Sequence, residues 1–195
     1  MNTHGIKPKD IMQAMEIEHD LIDRMLTLLK KEEDVISEKD LLNREFIDLV
    51  IEFFRDFVQE VHHAKRVKIN EKLMEKDLSL EDRGALKDFI SKQGHIRKIV
   101  DLLEEARKKL ELHDGKIVDK AHREIAELIM QYSEQMMTAR RMYPALIKEY
   151  LDESERAELV RQIMQTEKIK DWGKFEETIR RLEKARGVRP RGGER

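Results

Sequence analysis

The stretch Phe53 to Met74, FFRDFVQEVHHAKRVKINEKLM, limits what this chain can become more than any other. Ile47, Ile51, Phe54 and Val58 recur at helical spacing, and the same stripe runs on through His62 to Ile69 and Leu73. Val50, Phe53, Phe57 and Val61 form a second apolar stripe beside it. A helix apolar over so wide an arc has to be covered on more than one side. His62 lies within that arc, and a buried polar group left unpaired costs about 1–3 kcal/mol, so its imidazole needs a hydrogen bond or a metal.

Composition narrows the surroundings. With 41% charged and 5% aromatic residues, 8 Gly and 3 Pro, the chain reads as almost entirely helical, and no alternating stretch is long enough to support a sheet. Its 195 residues suffice for one core, or for a bundle with an added subdomain. Lys and Arg number 39 against 41 Asp and Glu, a formal charge of −2, so nothing global favours nucleic acid or an anionic membrane as a partner. The absence of Cys excludes disulfides and thiolate metal sites. No apolar run approaches the roughly 18 residues of a membrane span, and MNTHGIKPKD lacks a signal core, so a cytoplasmic location is expected. A Gly-rich phosphate loop, a nucleophile elbow and a Ser/His/Asp pattern are all lacking, which leaves hydrolase and nucleotide chemistry without support.

Taken in order, Pro8 suits the first turn of a helix reaching about Leu29, with Ile11, Met15, His19, Ile22, Leu26 and Leu29 on one face. His19 is therefore a second inward histidine. KKEEDVISEKD reads as a connection, with Ser37 and Asp40 capping a second helix that ends near Lys76. Ser79, with Asp82 three residues on, opens a third helix whose buried face is Leu86, Phe89, Gln93, Ile96, Val100 and Leu103. HDG at 113–115 ends it, Gly115 suiting a left-handed cap. A fourth helix, about Lys116 to Tyr150, turns Ala121, Ile125, Leu128, Ile129, Tyr132, Met136, Ala139 and Tyr143 inward, with a kink or break expected at Pro144. Asp152 and Glu155 cap a fifth helix through Leu159 and Ile163, and a sixth offers Trp172, Phe175, Ile179 and Leu182 for docking. The expected fold is all-α: an antiparallel up-down-up-down four-helix bundle over residues 1–151 with additional C-terminal helices. The extension, 152–186, packs on the bundle or on a partner subunit, and 187–195 forms a disordered basic tail.

The phrases MEIEHDLIDRML, FVQEVHHAK, RGALKDFISKQGHIRKIV and RRMYPAL resemble, in that order, those of the hemerythrin-like HHE cation-binding domains. SERAELVRQIMQTEKI and KFEETIRRLEK are similar to the extra C-terminal helices of many members. The resemblance implies a four-helix bundle holding a non-haem di-iron centre, with single histidines from helices one and three and H-x-x-x-E pairs from helices two and four. Four residues is about one turn, so each imidazole and carboxylate would project at one layer. His19 matches the first ligand and His62 the second, with Lys65 kept beside it, but the expected carboxylate four residues later is Arg66. On helix three the match falls on Gln93 rather than His95. On helix four, counting back from Pro144 selects Glu134 and Thr138, whereas the apolar stripe selects Tyr132 and Met136. Under either register that pair is missing.

Two readings follow. In the leading one the di-iron site is degenerate, no cofactor is expected, and the bundle is a binding or interaction module whose interior, with Arg66, Gln93, Tyr132 and Met136, has room for at most a residual metal or small ligand. His19 and His62 are then either the surviving corner of a metal pocket or two polar core residues bonded to Gln93 or Tyr132. Arg66 itself could replace the metal by pairing with Glu134. In the alternative, iron, mononuclear or in a nonstandard di-iron centre, binds His19, His62, His95 and Glu134 and serves to bind or sense oxygen or nitric oxide, or to handle iron. His63 and His95 read otherwise as flank residues, and His4, His113 and His122 as solvated. The methionines read as core filler, and Arg140, Arg141 and the basic C-terminus as a solvated face. A homo-oligomer joined through the C-terminal helices is a third expectation, with no membrane or nucleic-acid partner.

Overall fold

The computed structural model describes residues 10–39, 42–109, 115–167 and 172–188, and within them the fold is all-α, without a strand. Helix α1 spans Ile11–Lys39. Helix α2 begins as Arg44–Glu52, passes through a π-helical segment, Phe53–His63, and finishes as Ala64–Met74. Helices α3, Leu80–Lys109, and α4, Gly115–Tyr150, complete the four rods, and α5, Glu153–Glu167, and α6, Trp172–Ala185, follow. No described helix is long and apolar enough to cross a membrane.

Side-chain pairs fix the direction of each rod. Glu18 with His62 and Glu32 with the Asn43 backbone run α1 against α2. Asp48 with Arg107 and Arg55 with Asp101 run α2 against α3, and Lys92 with Glu134 and Lys120 with Glu105 run α3 against α4. Arg140 with Asp23 and His122 with Ser37 then bring α4 back antiparallel to α1. The result is a closed up-down-up-down bundle, the arrangement short connections between long helices favour.

Helix ends follow capping chemistry. The Ser79 hydroxyl accepts from the Asp82 N–H at 3.0 Å, as its spacing predicts. Asp152 accepts from the Glu155 N–H at 2.9 Å while the Glu155 carboxylate accepts from the Asp152 N–H at 3.2 Å, a complete capping box. The start of α2 differs from expectation. KKEEDVISEKD does not form a connection: α1 continues through it to Lys39 because Glu32 and Ile36 remain on the buried face. Ser37 is thus interior to α1, Asp40 lies outside the described residues, and the cap of α2 is Asn43, whose side chain accepts from the Phe46 N–H at 3.1 Å. Pro144 does not break α4 either. Its ring sits on the exposed side, while Tyr143, Leu146 and Ile147 anchor the inner face.

The C-terminal helices lie on their own chain. Phe175 of α6 packs on Phe53 and Phe57 with ring centroids 6.1 and 5.6 Å away, and Ile179 is fully buried. Arg24 donates twice to Glu183, at 2.8 and 2.9 Å, and Arg186 pairs with the buried Glu32. Gly187, expected in a disordered tail, instead closes α6 at φ 62°, with Val188 N–H donating to the Glu183 carbonyl at 2.9 Å. Only glycine adopts that left-handed cap without strain. The Trp172 side chain, Pro8, His4, His113 and residues 189–195 lie outside the described part.

Candidate functional site: a polar layer between two cores

The apolar interior is divided in two. One cluster gathers Leu21 to Ile36 of α1, Phe46 to Val61 of α2, Ile96 to Ala106 of α3 and Ala121 to Met136 of α4. The other gathers Ile11 and Met15, Ile69 and Leu73, Leu86 and Phe89, and Ala139 to Leu151. Between them lies one polar layer, with Glu18 and His19 from α1, His62, Lys65 and Arg66 from α2, Gln93 from α3 and Gln135 from α4.

The local winding of α2 explains why so much of it faces inward. Its buried residues come in adjoining pairs, 53/54, 57/58, 61/62, 65/66 and 69/70, spaced by four. Bonds closing from i to i+5 turn the chain through a smaller angle per residue than i to i+4, so the π segment stretches the inward repeat to four. Lys65 and Arg66 continue that repeat and are buried with it.

Within the layer, His62 Nδ1 is 2.6 Å from Glu18 Oε2, and Lys65 pairs with the other Glu18 oxygen. A carboxylate only accepts, so Nδ1 carries the His62 proton and Nε2 presents a lone pair. The His19 ring meets His62 edge to face at 5.2 Å, and His63 stacks on Tyr132 at 6.3 Å. Arg66 is fully buried. Its guanidinium reaches the Gln135 carbonyl at 3.4 Å and Met136 Sδ at 3.6 Å and lies over the Phe89 ring at 5.2 Å, and no carboxylate within the described residues pairs with it.

The electrostatics agree with this geometry. Burial first, and the Arg66 charge second, push His19 and His63 down to about 3, and the same causes hold His62 well below its ordinary value. All three imidazoles are neutral at pH 7. Burial raises the Tyr132 phenol, against the opposing pull of Arg66, and raises Tyr143 to about 12.

Several polar atoms of the layer have no hydrogen-bond partner among the described residues: both His19 nitrogens, His62 Nε2, Arg66 Nε, Gln93 Nε2, Tyr132 Oη and Gln135 Nε2. Gln93 is only half-buried, although that nitrogen is covered. His95 is 54% exposed and 3.5 Å from Glu127, and Glu134 is 51% exposed and bonded to Lys92, so neither joins the layer. Tyr132 and Met136 face inward while Glu134 and Thr138 face out, which settles the register of α4. Arg66 is bonded to Gln135 rather than to Glu134. His122, expected to be solvated, is half-buried beside Ser37 and Glu33.

Glu18 and Gln135 have no place in the sequence reading, and Lys65 enters it only as the residue kept beside His62. A signal for Glu18 existed: Met15, Glu18, Ile22, Met25, Leu29, Glu32 and Ile36 alternate spacings of three and four, placing both glutamates on a core seam.

A di-iron centre needs several carboxylates and imidazoles around two cations. Among the described residues no three His, Cys, Asp or Glu side chains gather as a cation site requires. The one acid of the layer, Glu18, is committed to Lys65 and His62, and Arg66 places a fixed positive charge beside them. The donor set does not fit that cofactor. By structure, the molecule is an all-helical bundle with a buried, net cationic polar layer. No protein-family model matches the chain, and no curated protein or solved structure matches it.

Proposed function

We propose that this chain is a hemerythrin-like bundle whose di-iron site is degenerate, and that it acts as a binding module with a small-ligand pocket at the polar layer. One observation carries the reading: Arg66, fully buried and without a carboxylate partner among the described residues, stands four residues after His62, where the resemblance calls for an iron-binding carboxylate. A guanidinium does not deprotonate at accessible pH, so it repels a cation under all ordinary conditions. Metal analysis of freshly purified protein, with an absorption spectrum, tests it. Stoichiometric iron with oxo-bridge absorption would overturn the proposal. Arg66→Glu restores the expected charge and should raise iron uptake; unchanged uptake would count against Arg66 as the obstacle.

A second reading, a non-haem iron protein that binds or senses oxygen or nitric oxide, draws on the edge-to-face His19 and His62 rings and their unpartnered nitrogens. It requires a nonstandard centre without His95 or Glu134, and a colourless protein indifferent to chelator would sink it.

A further inference from the structure

We infer that the polar layer is an anion site, taking one small monovalent oxyanion or carboxylate of the size of nitrate or formate against Arg66. This rests on the proposal above, that the layer has lost its iron-binding carboxylates, and it names the class of ligand.

Charge is the first argument. Glu18 and Lys65 pair and cancel, the imidazoles are neutral, and Arg66 adds one uncompensated positive charge in a fully buried position. Leaving a lone ion in a protein interior costs several kcal/mol even after relaxation. One monovalent anion neutralises the layer, whereas a cation raises its charge.

Hydrogen-bond inventory is the second. Arg66 Nε and Gln135 Nε2 are N–H donors that can only donate, both are buried, and neither has a partner among the described residues. The Gln135 carbonyl accepts from Arg66 Nη1 at 3.4 Å, on the end of the guanidinium away from Nε–H. Gln93 Nε2 on α3 is another buried donor without a partner among the described residues, and the Tyr132 hydroxyl another buried group able to donate. A small planar oxyanion is the partner that the edge of a guanidinium binds best. Phe89 and Met136 lie against the guanidinium and offer it no counter-charge.

The test titrates sodium nitrate and sodium formate into protein dialysed against a bulky organic anion, at constant ionic strength, following the unfolding midpoint and the heat of binding. Wild type should show saturable binding, and at a hundred-fold excess over Kd its midpoint should rise by roughly 5–10 °C. Arg66→Met should abolish the response, and Gln135→Leu, which leaves the charge in place, should weaken affinity about ten-fold. Should Arg66→Met not fold, Gln135→Leu with Tyr132→Phe removes two donor groups and must lose at least that much. No saturable response in wild type, or an equal response in the variants, would overturn the anion site. Ferrous iron added anaerobically in parallel separates the two levels: two irons bound per chain would overturn the underlying degenerate-site proposal, whereas iron-free protein that also ignores both anions would overturn the anion site alone.

Discussion

Replacing Arg66 by Met should make the protein more stable, not less. Met matches the aliphatic stem of Arg66 but not the guanidinium, so the space between Phe89, Met136 and Gln135 has to close in part by repacking. The substitution loses a cation–π contact of about 0.5–2 kcal/mol and one long charge-assisted hydrogen bond of about 1.5 kcal/mol. Against this stands the several kcal/mol for keeping a lone cation out of water, and relief of buried charges by apolar residues has stabilised proteins by roughly 1–4 kcal/mol. The expected net gain in an anion-poor buffer is about 1–3 kcal/mol, a midpoint rise of roughly 3–10 °C for a chain of this size. Chemical denaturation followed by circular dichroism, with matched m-values, measures it. Nitrate or formate should narrow the gap by stabilising wild type alone. A folded Arg66→Met protein at least 1 kcal/mol less stable than wild type would show that Arg66 already has its counter-charge, and the electrostatic argument would fail.

Further predictions concern the surrounding network. Glu18→Ala should cost roughly 3 kcal/mol by removing the buried carboxylate that Lys65 pairs with, and Glu18→Leu with Lys65→Met should recover most of it; a double variant as unstable as the single one would refute the pairing. Stability should fall with acid in a defined window. His19 and His63 titrate at 6.5 when unfolded and about 3 when folded, so the unfolded chain binds more protons between those values and stability rises with pH across them. At pH 5 the two together should cost about 4 kcal/mol relative to pH 8, and an unfolding midpoint flat over that range would contradict their neutral burial. Glu183→Ala should destabilise by roughly 1–3 kcal/mol and speed hydrogen exchange in α6 ahead of the bundle, because it removes the doubly bonded partner of Arg24 and leaves it the longer contact with Asp20 at 3.9 Å; uniform exchange would show that the docking rests on Phe175 and Ile179 instead.

Much of this architecture is legible in the amino-acid sequence. The α4 stripe from Ala121 to Tyr143 is buried throughout, and the Ser79 and Asp152 caps form as their spacing requires. Helix α1 runs ten residues beyond Leu29, to Lys39, although KKEEDVISEKD has the composition of a linker. Its inward Glu32 becomes intelligible only once Arg186, from the far end of the chain, is known to reach it. Lys65 shares the wheel angle of Ile47, five turns before it, so its position is inside the apolar arc and only its charge sets it apart from that arc. Gln135 was missed because both registers considered for α4 passed over it. At the polar layer the fold is therefore easier to read than the site, since an apolar stripe declares its own burial, whereas a charged residue on the same stripe, such as Glu18, is betrayed by its position alone.

The unusual winding of Phe53–His63 makes chain length, as much as residue identity, a condition of the interior. Ten residues of ordinary winding turn the chain about as far as eleven at an inward repeat of four, so losing one residue from that segment and relaxing it would leave everything downstream facing nearly as before. The same loss within the ordinary winding of Ala64–Met74 would swing Leu73 by about 100° off its neighbours. A single-codon deletion should therefore be far better tolerated inside the π segment than just after it.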